Sequence, residues 1–159
     1  MELIYMNKLK NMPQIYNRNN RGLTVLQIEE LEKKYNNGNP FPKAYREFLV
    51  IAGEYPNLGA HYDAPGYDWM QEEARNELEE CNKTIDRPFF VIDQLDGCTQ
   101  FSFIYLDETD EDPKVYHCHA HPSYWKDHGF IVERKFNPFS KLIDYCIDLA
   151  IRDYKAYYE

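Results

Sequence analysis

The run Phe89-Phe90-Val91-Ile92-Asp93-Gln94, followed by Asp96-Gly97 and then by Gln100 to Leu106, constrains the fold of this chain most. Both flanks are dense in aromatic and β-branched residues, and Asp-Gly readily supplies the backbone that a tight turn between twisted strands requires. The pair reads as an antiparallel hairpin. On its second strand Phe101, Phe103 and Tyr105 point to one face, and Ser102, Ile104 and Leu106 to the other. A third strand, Lys114 to His119, follows an acidic loop, and Gly129-Phe130-Ile131-Val132 reads as a fourth.

Helical periodicity surrounds these strands. Thr24-Val25-Leu26-Gln27 forms a capping box, in which the Thr hydroxyl and the Gln side chain each satisfy the other's free backbone N–H. Val25, Ile28, Leu31 and Tyr35 continue one face of that helix until Asn36-Asn37-Gly38-Asn39-Pro40 ends it. A second helix runs from Pro42 to Ala52: Tyr45, Phe48, Leu49 and Ala52 recur at helical spacing, and Gly53 sits where a left-handed residue closes a helix. Residues 54 to 68 hold two Pro and two Gly and read as a long ordered loop of the kind that often carries function. From Asp68 to about Asn82, Met70, Ala74, Leu78 and Cys81 mark one buried face of a strongly acidic helix. Phe139, Leu142, Ile143, Cys146, Ala150 and Tyr154 line a last helix, from about Pro138 to Tyr157. The polar, Asn-rich residues 1 to 22 read as an extended or loosely docked arm. Consecutive strands with helices at both ends give an α+β class, with a mainly antiparallel sheet of about four to six strands flanked by helices. One domain spans residues 1–159.

Charge is distributed unevenly over a net −9. Residues 1 to 50 hold 8 Lys/Arg and 5 Asp/Glu, residues 51 to 113 hold 3 and 16, and residues 114 to 159 hold 7 and 6. Such an acidic middle repels nucleic acid and anionic membranes and speeds encounter with a basic partner; its ordinary alternative is a solvated face that keeps the chain soluble. No stretch reaches the ~20 apolar residues that span a bilayer, and the first residues lack a basic n-region and long apolar run, so the expected location is the cytoplasm. Cys81, Cys98, Cys118 and Cys146 are widely spaced with no C-x-x-C pair, which fits reduced thiols better than a zinc site. The 14 Tyr serve half-buried sheet faces in the ordinary case and protein interfaces in the other.

The order Pro42, two residues, Tyr45-Arg46, one residue, Phe48-Leu49, then Gly53-Glu54 is similar to the N-terminal signature of the SUKH superfamily, in its Smi/Knr-like branch. Later features resemble the same family in order: an aromatic-rich strand, a Gly-containing turn, a strand ending in Asp, Val115-Tyr116 opening the next strand with a nearby His, and Phe139-x-x-Leu142 at a helix start. Together they cover roughly residues 24 to 150. The chain departs from the pattern at Asp96-Gly97-Cys98, where the family often has Gly-Asp. The resemblance implies a SUKH-like fold and a binding role, mostly that of a bacterial immunity protein that neutralises a cognate toxin. It carries over no catalytic residue.

Chemistry offers one competing constellation. In a strand, His117, His119 and His121 lie on one face and have a spacing that zinc can use, with Asp127-His128 not far behind; a strand-end cluster without a ligand is the plainer account. No Gly-x-Ser-x-Gly, phosphate-cradling loop or His-Glu-x-x-His is present. Cys98 lacks a neighbour that would lower its pKa, and Glu72, Glu73, Glu77, Glu79 and Glu80 read as a solvated helix face. No enzyme activity, cofactor or metal is therefore expected. The expected partner is a cognate toxin domain, and because many such toxins are nucleases with basic clefts, an acidic surface suits it. Asp107, Glu108, Asp110, Glu111 and Asp112 are the candidates for electrostatic steering, with Tyr62, Tyr67, Asp68 and Trp69 as an aromatic anchor. Two alternatives stay open: a regulatory interaction module with a non-toxin partner, and a metal-dependent hydrolase built on His117, His119 and His121.

Overall fold

A computed structural model describes residues 2–121 and 129–159. Five α-helices and four strands occur among them: α1 (Asn7–Lys10), α2 (Val25–Tyr35), α3 (Lys43–Ala52), α4 (Tyr67–Glu80), β1 (Phe89–Leu95), β2 (Gln100–Tyr105), β3 (Tyr116–His119), β4 (Ile131–Glu133) and α5 (Phe139–Tyr158), with a 3-10 turn at Gly59–His61. The strands form one antiparallel sheet in the order β1-β2-β3-β4. The class is α+β, as the sequence order indicates. Asp127 and His128 lie outside the described residues.

The hairpin forms as its residues dictate, with a wider turn. Asp96, Gly97 and Cys98 are all left-handed, at φ 51, 64 and 67, and strand pairing resumes at Leu95 opposite Gln100. One register irregularity between Val91 and Asp93 shifts Ile92. One sheet face carries the rings of Phe89, Phe101, Phe103, Tyr105 and Tyr116, with successive centroids 4.7 to 6.5 Å apart. The other face is apolar at Phe90 and Ile104, where it meets the helices, and turns polar along the in-register row Asp93, Ser102 and His117. The outer edge of β1 is covered by α4: the buried Gln71 amide donates to the Val91 carbonyl and accepts from the Val91 N–H, at 2.9 and 2.8 Å. That side chain does what a fifth strand would do, and it closes an edge open to aggregation.

The core centres on α3. Tyr45, Phe48, Leu49 and Ala52 are fully buried, and the Tyr45 and Phe48 rings meet Phe139 of α5 edge-on at 5.4 and 5.5 Å. The capping box at Thr24 and Gln27 is present. The apolar stripe of α2 is narrower than its periodicity suggests, because Val25 is 51% exposed while Ile28 and the carboxylate of Glu32 face inward. Glu32 accepts from the Phe41 N–H and from Arg46 Nε, at 2.9 and 2.8 Å, and so ties α2 to the start of α3. Gly53 does not close α3 in a left-handed turn: its φ is −65°. It is small for a different reason, since a Cβ there would lie 2.5 Å from the Leu49 carbonyl oxygen and 2.9 Å from the Leu23 side chain.

Residues 1 to 22 are the largest departure from expectation. The arm packs closely, burying Met6, Leu9 and Ile15, and contains α1. Its anchor is Glu47, a fully buried carboxylate of α3 that accepts from the backbone N–H groups of Ile4, Tyr5 and Met6 at 2.9, 2.8 and 3.0 Å. In effect a side chain from another helix pins the segment that leads into α1, up to its N-cap residue Met6. Downstream, Gly22 crosses the end of α3 so closely that a Cβ would fall 1.6 Å from the Val50 carbonyl oxygen. That approach lets the Leu23 N–H reach the Leu49 carbonyl at 2.9 Å, beside the bond that carbonyl accepts from the Gly53 N–H at 3.0 Å.

Candidate partner-binding surface

The acidic loop between β2 and β3 is held in place by its own carboxylates. Asp107 accepts two bonds from Arg87, at 2.7 and 3.0 Å, and Glu108 accepts from Arg87 at 3.3 Å and from the Tyr116 hydroxyl at 3.1 Å. The Arg87 guanidinium also stacks 3.7 Å above the Tyr105 ring centre, and it holds the Asp107 carboxyl below the usual carboxylate range. Glu111 accepts from the Tyr5 hydroxyl at 2.8 Å, and its carbonyl accepts from the Ala44 N–H at 2.9 Å. Asp112 accepts from the Ser140 N–H and hydroxyl, at 2.9 and 2.6 Å. The loop thus feeds acceptors to the first turns of both α3 and α5, where free N–H groups and the positive ends of two helix dipoles converge. Asp110 and Thr109, both exposed, project from this frame.

Beside the loop lies an open cleft of about 570 Å³, walled by Pro40, Phe41, Pro42 and Leu106, with Asp110 and Glu111 along its loop side and Lys43 and Arg46 along its α3 side. An apolar floor with carboxylates along one side can seat an aliphatic or aromatic side chain flanked there by basic groups. Asp68 connects to the same side of the molecule: it accepts from Lys34 at 2.9 Å and from the Tyr35 hydroxyl, in the last turn of α2, next to the cleft residue Asn36. The Tyr35 and Lys34 bonds keep the Asp68 carboxyl below its ordinary range.

The aromatic candidates separate. Trp69 is 43% exposed at the start of α4, whereas Tyr62 is 2% exposed and donates from its hydroxyl to the Ile92 carbonyl at 2.9 Å. Tyr67 is half-buried and donates to the Gly53 carbonyl at 2.6 Å. Tyr62 and Tyr67 therefore work as internal struts, while Trp69 and Asp68 reach solvent. Nothing in the local sequence marks Pro40, Phe41 and Leu106 as lining one cleft. Arg87, one of three basic residues in the acidic middle of the chain, was the available signal for an ordered loop.

The histidines take separate partners. His117 Nε2 pairs with Gln100 Oε1 at 3.1 Å, and His121 Nε2 with Glu77 Oε2 at 3.3 Å. Among the described residues no group of three His, Cys, Asp or Glu side chains is placed to hold a metal ion. Burial, with Arg134 and His119 nearby, lowers the His117 pKa to about 4. Its row neighbour Asp93 accepts from the Ser102 N–H at 3.1 Å, and burial raises the Asp93 carboxyl against the opposing pull of Arg134, which donates to Ser102 Oγ at 2.8 Å. Ser102 is fully buried, and burial raises the Cys98 thiol to about 11, so neither is an accessible nucleophile. The four cysteines are free thiols.

Among the described residues no helix is long and apolar enough to cross a membrane. A family model, that of the SMI1 / KNR4 family (SUKH-1), matches residues 22–144. No curated protein and no solved structure matches the chain.

Proposed function

Because this chain belongs to the SMI1 / KNR4 family (SUKH-1), a family known for immunity proteins that bind toxins, we propose that it neutralises a cognate bacterial toxin by direct binding. The cleft between the acidic loop and Pro40–Pro42 takes the toxin, with Asp107, Glu108, Asp110, Glu111 and Asp112 supplying the field and Trp69 and Asp68 the flanking contact. Tyr62 and Tyr67 act in this reading by holding the Trp69 end of the surface in shape. One observation carries the proposal: the five carboxylates stand on a loop fixed by Arg87, Tyr5 and Ser140, so the negative field is in place before the partner arrives. A preordered field raises the association rate without an ordering penalty on binding. The complementary partner is a basic domain, as the substrate cleft of a nuclease is, and inhibition requires no chemistry by this chain.

Co-expression of the chain with the product of the adjacent upstream reading frame tests this reading. Survival of the cells and co-purification of the two proteins support immunity by binding. Cell death despite soluble expression of both proteins refutes it.

A further inference from the structure

A second surface occupies the opposite end of α3 and α5. Both helices begin at the acidic loop, whereas their far ends meet the arm: Leu23 reaches the Leu49 carbonyl, and Tyr16 contacts Tyr154 and Tyr158. The 20 residues of α5 put about 30 Å between the two ends at 1.5 Å per residue. Residues 15 to 21 lie before the segment matched by the family model.

Here the chain turns back on itself between Ile15 and Arg18, with Tyr16 and Asn17 both left-handed at φ 53 and 56. A tyrosine in that conformation is strained, and the turn survives because its surroundings determine it. The buried Asn57 amide donates to the Ile15 and Arg18 carbonyls at 3.1 and 2.9 Å, and Ile15 is sunk in the core. The result is a Tyr16 ring held 42% exposed, braced edge-on by Tyr154 and Tyr158 at 5.0 and 5.5 Å. Alongside, the Arg18 and Arg21 guanidiniums lie 5.9 and 5.5 Å from the centre of the Tyr55 ring, and Arg18 donates to the Tyr55 hydroxyl at 3.2 Å. Clefts of about 540 and 520 Å³ open beside this group. Among the described residues Arg18 has no ion-pair partner, and Arg21 has only the exposed Glu54 at 3.5 Å.

We propose that this arginine–tyrosine surface docks an acidic segment of a second protein partner, separate from the partner held at the acidic cleft. Arg and Tyr are the residue types over-represented where interfaces concentrate their binding energy, and rings and guanidiniums already braced against one another lose little freedom on binding. Each guanidinium offers forked donors that match a carboxylate. Single-stranded nucleic acid shares the stacking chemistry, but two guanidiniums on a chain of net −9 suit a short acidic peptide better than a long polyanion.

Fluorescence anisotropy of the full chain with a fluorescein-labelled peptide of repeating Glu-Glu-Tyr tests the proposal, with labelled oligodeoxythymidine as the second probe. The expected result is saturable, salt-sensitive peptide binding that weakens about tenfold or more in Arg18→Ala/Arg21→Ala and in Tyr16→Asn. Asn suits the left-handed backbone, so Tyr16→Asn removes the ring and leaves the fold, and the melting temperature reports that separately. Asp110→Lys, at the other end, leaves peptide affinity no weaker. Absence of saturable binding, equal affinity in the folded variants, or tighter binding of oligodeoxythymidine overturns the proposal.

Discussion

Removing the Glu47 carboxylate should release the N-terminal arm. Its two oxygens accept three consecutive backbone N–H groups at 2.8 to 3.0 Å in a fully buried site. Hydrogen bonds to a charged group contribute about 1.5–3 kcal/mol each, so the gross loss in Glu47→Ala is roughly 4–9 kcal/mol. Relief of the desolvation of a buried carboxylate offsets several kcal/mol of that, leaving a net destabilisation of about 3–4 kcal/mol. In Glu47→Gln the amide oxygen keeps the Tyr5 and Met6 bonds, and only the more exposed Ile4 N–H meets a donor, for a loss of about 1–2 kcal/mol. Urea unfolding reads both values, and at ~2–4 °C per kcal/mol the alanine variant melts about 6–16 °C lower. Amide exchange locates the change: Met6 to Lys10 lose protection first. Because Tyr5 also holds Glu111, the acidic loop loosens next. Variants within about 0.5 kcal/mol of the parent, with the arm still protected, would refute the anchoring argument.

Gly22→Ala places a Cβ inside the Val50 carbonyl and should destabilise the fold by more than about 3 kcal/mol, seen as a collapse of the urea midpoint; an unchanged midpoint contradicts the close crossing. Asp112→Ala removes the acceptor at the start of α5 and should lower stability by about 1–2 kcal/mol, with Asp112→Asn losing less by the same titration. His117, held at about 4 in the fold against 6.5 when free, binds fewer protons in the native state between those pH values. Stability is therefore fully present above pH 6.5 and falls by about 3 kcal/mol as pH drops to 4, while Asp93, shifted upward, works in the opposite sense. His117→Gln should flatten that slope in urea titrations at pH 7 and 4.5, and an unaltered slope would exclude His117 as its source.

Most of the framework was legible because it depends on local pattern. The Thr24–Gln27 cap, the buried positions of α3 and the Asp96-Gly97 hairpin follow from residue type and spacing alone. What escaped depends on distant partners. A polar arm reads as loose until Glu47, over forty positions away, accepts its N–H groups. Gly53 suggests a left-handed cap because the close approach of Leu23 is invisible from sequence. The acidic loop is legible in the sequence but its anchoring is not, since Arg87, Tyr5 and Ser140 reach it from three separate parts of the chain. Period-two spacing suggests one face for His117, His119 and His121, but β3 ends at His119 and leaves His121 outside the strand, and spacing says nothing of which partner each ring selects. Tyr62 and Trp69 are both aromatics near the end of a Pro- and Gly-rich loop, and only the packing of that loop sends one inward and the other outward.

The most direct test of the acidic cleft as the toxin-binding surface is stopped-flow association with the cognate toxin domain, comparing the parent with Thr109→Lys/Asp110→Lys. Both positions are exposed, and among the described residues no structural hydrogen bond of the loop depends on their side chains. The account predicts an association rate about tenfold or more slower at low salt, converging with the parent as salt screens the field. Equal rates at low salt, with the complex still forming, would contradict it.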